Sequence, residues 1–141
     1  MHPDIDAWSQ DLGGGLDYVD FARHRLGLAD WIALSKCFRP RFVEVSGCVI
    51  WERAYEPDNF AEWYRTTDGD LTAIEAVLNQ FMLWQVVTPA TPDDESRIND
   101  LASDIAFMWR ACLEADFPGQ EFDGGSVHTE DGPVVRFVVR R

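Results

Sequence analysis

The sequence is poor in positive charge. Twelve Lys and Arg residues, all but one of them Arg, face 25 Asp and Glu residues, so the net charge is -13. A protein that neutralises nucleic-acid phosphates needs a basic surface, and this balance therefore argues against nucleic-acid binding. The excess of carboxylates instead favours solubility and fast electrostatic encounter with a basic partner.

Cysteine is scarce as well. Cys37, Cys48 and Cys112 are odd in number and show no CxxC spacing, which predicts reduced thiols in a cytoplasmic protein. The first residues lack the apolar run of a signal peptide. The longest apolar run, FMLWQVV, is far shorter than the ~18 residues that suggest a membrane span. We therefore expect a cytoplasmic protein that does not enter a membrane.

Signatures of catalysis are missing too. There is no GxSxG elbow for a nucleophilic serine, and the glycines at 13–15 are not followed by the GK[ST] of a phosphate loop. Each cysteine lies in an apolar segment, where burial makes a thiol inert, so a Cys–His pair is disfavoured. The sequence predicts no catalytic residue and no cofactor, although an enzyme is not excluded.

What the chain does contain is the composition of a folded domain. Hydrophobic residues make up 46% of its 141 residues and aromatic residues 13%, and a chain of this length buries roughly 68–70% of its unfolded surface. The glycine triplet is typical of a flexible joint. We therefore expect residues 1–15 to form a flexible arm and residues 16–141 to form one domain.

The order of helical and strand-like segments predicts an α+β fold. Helices are expected at 16–26, in ADWIALSKCF, in EPDNFAEWYR, from about Asp70 to residue 87, and in a long segment that starts with Thr91 as cap and Pro92 at the first position. Two hairpins, around residues 39–55 and in SVHTEDGPVVRFVVRR, complete the order. We expect one small antiparallel sheet of about four strands, packed by helices that include one long helix in the C-terminal half.

The first hairpin allows a prediction of its register. If Ser46 and Gly47 form a two-residue turn, Val45 pairs with Cys48. Each step away from the turn then pairs the next residue of one strand with the next of the other, and the last pair is Arg41 with Glu52. Cys48 then lies on an apolar face with no evident chemistry. Phe42 and Trp51 lie on the opposite face, and what covers them is left open.

One group of residue types could hold a metal ion. Asp17, Asp20 and His24 follow the spacing i, i+3 and i+7, which places them within roughly a 60° arc of a helix. Two carboxylates and an imidazole suit a divalent cation. The alternative is a solvated helix face with His24 near the negative helix end.

Acidic residues are concentrated in two segments, from Glu56 to Glu75 and from Asp93 to Asp104. A solvated surface with helix-capping carboxylates accounts for part of this, including Asp70 and Glu95. The functional interpretation is an acidic face that docks a basic protein, with aromatic residues as anchors. The candidate contacts are Glu56, Asp58, Glu62, Trp63, Tyr64, Asp68 and Asp70.

The leading hypothesis is therefore a non-enzymatic acidic module of the immunity or inhibitor type, which binds a basic partner protein. A metal-dependent enzyme or metal-binding protein that uses Asp17, Asp20 and His24 is the second hypothesis. A self-associating structural protein, a homodimer in the simplest case, is the third.

Overall fold

Six α-helices and five strands form the fold in the computed structural model, which describes residues 1–141. The chain divides into two compact units, Met1–Lys36 and Cys37–Arg141. None of the helices has the length and apolar character needed to cross a membrane.

The first unit holds helices α1 (Pro3–Asp11) and α2 (Tyr18–Arg25) and most of α3 (Leu28–Phe38). Pro at the first position favours the start of α1, because the missing N–H would be unpaired there in any case. Helices α1 and α2 meet through Trp8 of α1, whose ring packs edge-on against that of Phe21 in α2, with 5.5 Å between the ring centroids. That residues 1–15 form a flexible arm stays a prediction, although they include a helix.

The second unit carries all the strands. Its elements are β1 (Phe42–Val45), β2 (Cys48–Trp51), α4 (Pro57–Thr66), α5 (Leu71–Leu78), β3 (Gln80–Met82), α6 (Pro92–Asp116), β4 (Phe122–Thr129) and β5 (Gly132–Val139). The α+β class and the long helix α6 are confirmed. The strands form two antiparallel sheets, one of β1 and β2 and one with the order β3-β5-β4, where a single sheet of about four strands was expected.

The first hairpin has the predicted register. Phe42 pairs with Trp51 and Val45 with Cys48. Ser46 and Gly47 both have positive φ, at 51° and 86°, as a two-residue turn requires if it is to follow the right-handed twist of its strands. Beyond the paired residues, the Arg41 and Glu52 side chains approach to 3.5 Å.

The helix predicted from Asp70 to residue 87 was wrong in its second half. Helix α5 ends at Leu78, and Gln80–Met82 forms β3 instead, which pairs with residues 134–136 of β5. Apolar periodicity over a short window does not separate a buried helix from a strand. The deciding contact comes from a strand that lies more than fifty residues further along the chain.

The larger core is centred on Trp109, which is fully buried. Its ring packs against Phe42 and Trp51 of the first hairpin and against Phe81 of β3, with centroids 4.8 to 6.1 Å apart. Helix α6 therefore covers the face of the hairpin whose cover the sequence left open. Cys48 lies on the other face, in a smaller cluster with Ile50, which confirms its place as a core residue.

The two sheets are joined by polar side chains from α5 and from Asn79, which follows its last residue. Asn79 is almost fully buried and accepts a hydrogen bond from the Trp51 N–H at 2.8 Å. Its amide nitrogen donates to the carbonyl of Val49 in β2 and to that of Phe137 in β5, at 2.8 and 3.1 Å. One side chain thus hydrogen-bonds backbone groups of both sheets, which do not pair with each other directly.

Glu75, one turn before Asn79, adds further hydrogen bonds between the two sheets, and we call Glu75 and Asn79 together the polar seam. Glu75 is 0% exposed, and its carboxylate accepts from the backbone N–H groups of Val49 and Val139 at 2.8 and 3.0 Å. Arg141 pairs with both carboxylate oxygens, and this hydrogen bonding raises the pKa of the guanidinium. Glu75 closes the acidic segment that begins at Glu56 in the sequence, but in the fold it is not part of an acidic surface.

Candidate functional site

The arginines of the second unit are mostly committed to the fold. Six of the nine lie in ion pairs within this unit. Two more, Arg53 and Arg110, lie over aromatic rings. The ion pairs are Arg39–Asp116, Arg41–Glu52, Arg65–Glu62, Arg97–Asp94, Arg140–Glu121, Arg140–Asp123 and Arg141–Glu75. Little positive charge is left to compensate the remaining carboxylates.

Four of the uncompensated carboxylates lie on the solvent side of α6. This helix begins with Pro92 at its first position and Thr91 at the N-cap, but the Thr91 hydroxyl makes no capping bond, contrary to expectation. The Asp94 carboxylate accepts from the Ala90 N–H at 3.0 Å instead and pairs with Arg97. The apolar stripe of Ile98 to Leu113 faces the core, which leaves the opposite side of the helix to solvent.

That opposite side carries an aromatic ring among acids, and we call it the α6 outer face. Its members fall within roughly an 80° arc at 3.6 residues per turn, and all are exposed. The carboxylates form no ion pair, and Phe107 is 76% exposed. The α6 outer face consists of Asp93, Asp100, Asp104, Phe107 and Glu114.

The predicted contact region around α4 is exposed throughout, but three of its carboxylates have local tasks. Glu56 caps α4 by accepting from the backbone N–H groups at 58 and 59. Asp70 caps α5 by accepting from the Ala73 N–H at 3.1 Å. Glu62 forms an ion pair with Arg65 one turn on. These three carboxylates are therefore less available to a partner than the acidic sequence of this region suggested.

The other predicted contacts do not share one side of α4. Trp63 and Tyr64 flank the buried Phe60 and are 36% and 47% exposed, whereas Asp58 and Glu62 lie on the opposite side of the helix at 100° per residue. Asp68 follows the helix in a left-handed turn with φ 53°. The structure brings the two aromatic residues together but separates them from the acids.

Two of the three residues of the metal hypothesis are engaged in helix capping. Asp17 and Asp20 form a reciprocal capping box at the start of α2, with bonds of 2.9 to 3.1 Å. His24 packs beside the Trp8 ring, at 5.4 Å between centroids. No group of three or more His, Cys, Asp or Glu residues is placed to hold a metal ion.

The cysteines are free thiols, and two of them are buried. Cys48 is 0% exposed, and desolvation together with the nearby Glu75 charge raises its pKa to about 11. A thiol with so little thiolate near neutral pH is a poor nucleophile. Cys37 is half-buried at the end of α3, and its carbonyl accepts from the Trp109 indole N–H at 2.8 Å.

A surface cleft lies where the β4–β5 turn meets the beginning of α6, and its volume is about 210 Å³. It combines an aromatic wall, Trp84, with three carboxylates and one imidazole. Its lining contains no Lys or Arg. The residues that line it are Trp84, Val87, Pro89, Glu95, Ile98, Asn99, His128, Glu130, Asp131, Gly132 and Pro133.

Sequence reasoning missed both the α6 outer face and the cleft. Phe107 could have been found, because it lies out of phase with the stripe that runs through Ile105 and Trp109. The cleft could not, since it joins segments that only the β3-β5-β4 order brings together. No protein-family model matches this chain, and comparison with curated proteins and with solved structures finds no match.

Proposed function

We propose that this protein is a non-enzymatic, cytoplasmic binding module that docks a basic partner protein, as inhibitor and immunity proteins do. The contact surface is the α6 outer face, with Phe107 as its anchor and Asp93, Asp100, Asp104 and Glu114 around it. This placement replaces α4 as the main contact region, because the acids and the aromatic rings of α4 point in different directions.

The observation that carries the proposal is the exposure of Phe107 among unpaired acids. The Phe107 side chain is 76% exposed, so much of its apolar area contacts water. Covering such area lowers the free energy. Neighbouring carboxylates without ion pairs favour a cover with basic groups. Aromatic anchors with a charged rim are the usual arrangement of a protein–protein contact, in which the anchor supplies affinity and the rim supplies rate.

The charge of the whole chain supports the same partner class. The net charge is -13, so a basic protein is attracted from a distance and an acidic one is repelled. The same sign argument disfavours nucleic acid as a partner of this surface.

A calorimetric titration with a synthetic helical peptide of arginine and leucine tests the anchor. We expect Phe107→Ala to weaken binding by about 1–2 kcal/mol, which is roughly a five- to thirtyfold rise in Kd. Trp63→Ala on α4 is the matched aromatic truncation and should change Kd by less than about threefold.

The same pair of variants locates the contact if the α6 assignment is wrong. Loss of affinity in the Trp63 variant, with the Phe107 variant unchanged, would move the docking site to α4 as the sequence first suggested. Circular dichroism of both variants checks that each remains folded. Equal affinities for all three proteins would leave only charge attraction and would contradict an anchored contact.

A further inference from the structure

The surface cleft beside α6 is bounded by an indole ring and by the β4–β5 hairpin. Trp84 is 40% exposed and forms one wall. The backbone of Gly132, in the β4–β5 hairpin, lies so close that a Cβ there would sit 3.5 Å from the Trp84 Cβ. The Thr129 hydroxyl donates to the Gly132 carbonyl at 2.7 Å. The hairpin turn is thus closed by its own hydrogen bond and lies beside Trp84.

The charges in the cleft have one sign. Glu95 of α6 and Glu130 and Asp131 of the turn line it, and all three are exposed and form no ion pair. The remaining polar side chains that line the cleft are Asn99 and His128. A cation that enters this cleft meets three carboxylates and no fixed positive charge.

The size of the cleft indicates which kind of cation fits. Sites for complete small-molecule ligands usually measure ~300–1,000 Å³, and this one measures about 210 Å³. The end of one long side chain is a better match. Arginine suits it more than lysine, because a planar guanidinium stacks on an indole and binds carboxylates through two donors at once.

The protein already uses this contact internally. Arg53 lies over the Trp51 ring at 5.2 Å and Arg110 over the Phe137 ring at 5.0 Å. Trp84 has no arginine of its own chain over its ring.

We propose that the cleft between Trp84, Glu95 and the Glu130–Asp131 turn receives an arginine side chain of the basic partner. This inference rests on the proposed function, to which it adds a specific recognition element. The guanidinium stacks on the Trp84 indole while its N–H groups donate to the turn carboxylates. The partner therefore presents an arginine that projects from its surface.

An NMR titration reads the cleft directly, with N-acetyl-arginine amide as the probe and N-acetyl-citrulline amide as its neutral isostere. We expect saturable shifts of the Trp84 indole N–H and the Gly132 amide with the arginine probe only. Glu130→Gln with Asp131→Asn should weaken binding at least about fivefold, since the two groups that accept from the guanidinium lose their negative charge. The control Asp11→Asn with Glu44→Gln removes the same charge elsewhere and should leave the shifts unchanged.

A further variant separates stacking from charge. Trp84→Leu keeps an apolar side chain against Gly132 and should weaken the arginine probe about two- to fivefold, as expected for a partly exposed cation–π contact. Equal shifts with citrulline, or shifts that survive loss of both turn charges, would overturn the inference.

The amide probe has no apolar segment that could cover Phe107, so the two proposals fail separately. If the probe leaves Trp84 unshifted while Phe107→Ala still weakens the peptide, the cleft assignment is wrong and α6 docking stands. If the probe shifts Trp84 while Phe107→Ala leaves peptide binding unchanged, α6 docking is wrong and the arginine site stands.

Discussion

Asn79→Ala should be among the most damaging single substitutions in this protein. The Asn79 side chain makes three hydrogen bonds, to the Trp51 N–H and to the carbonyls of Val49 and Phe137. The residue is 2% exposed, so water cannot readily replace these partners. A single truncation therefore removes one of the two side chains that join β2 to β5, and leaves only the Glu75 carboxylate between Val49 and Val139.

The magnitude follows from the groups left behind. A buried N–H without an acceptor costs about 1–3 kcal/mol, and each lost neutral hydrogen bond about 0.5–1.5 kcal/mol. The two carbonyls suffer less than the amide, because each retains a second lone pair for other donors. We expect a total loss near 3 kcal/mol, against a stability of about 5–15 kcal/mol for a whole domain.

Urea unfolding followed by tryptophan fluorescence measures this loss, because Trp51 and Trp109 lie in the core. With a slope of about 1–3 kcal/mol per molar urea, the midpoint should fall by about 1–3 M. Asn99→Ala on α6 is the matched control, since the Asn99 side chain is exposed and makes no hydrogen bond, and it should stay within about 0.5 kcal/mol of the parent protein.

Asn79→Asp sharpens the test. The aspartate keeps an oxygen for the Trp51 N–H but turns its second oxygen towards the two carbonyls that the amide nitrogen served. We expect a loss at least as large as that of the alanine variant near neutral pH. A midpoint for Asn79→Ala within experimental error of the parent would refute the view that this side chain joins the sheets.

The remaining predictions concern thiols and a surface ion pair. Burial raises the pKa of Cys48 to about 11, so mass spectrometry after iodoacetamide treatment at neutral pH should find Cys37 alkylated well before Cys48. Faster labelling of Cys48 would contradict its place in the core. Arg39 holds the pKa of Asp116 below its ordinary value through hydrogen bonds, so this pair contributes above the unfolded-state pKa of the aspartate and is lost as the pH falls through the folded-state value. Arg39→Gln should therefore cost up to about 1 kcal/mol in urea unfolding at neutral pH and progressively less in acid, and a cost that does not change with pH would refute this.

The sequence predicted local features well and distant contacts poorly. The first hairpin was predictable residue by residue, because its turn residues and its alternation are contained in a dozen positions. The strand Gln80–Met82 was not predictable. It follows a helix directly and is itself apolar, so its sequence resembles a continuation of that helix, and only its pairing with β5 shows that it is a strand. Burial of Glu75 depends on donors from β2, from β5 and from Arg141, and no local pattern announces that combination.

The candidate site shows the same division. That Asp70 caps a helix was foreseen from its position, and Glu56 before Pro57 carries a comparable local signal. Phe107 gave a signal that periodicity alone could reveal, since it falls outside the buried stripe of its own helix. The pairing of arginines with distant carboxylates decides which acids stay uncompensated, and only the folded chain shows it.

The self-association hypothesis stays a prediction. Helix α3 has no buried residue, and Leu28, Trp31 and Ile32 are exposed. Size-exclusion chromatography with light scattering measures the outcome against the chain mass of 16.1 kDa. A monomer at all concentrations would rule out a homodimer.

The most direct test of docking through the α6 outer face compares two charge reversals of equal size. Asp104→Lys and Glu44→Lys each change an exposed, unpaired carboxylate and each move the net charge from -13 to -11. Stopped-flow association with the arginine–leucine peptide should be slowed clearly more by Asp104→Lys at low salt, and added salt should reduce the difference. Equal slowing by both variants would show that only net charge attracts the peptide, and would contradict a docking site on α6.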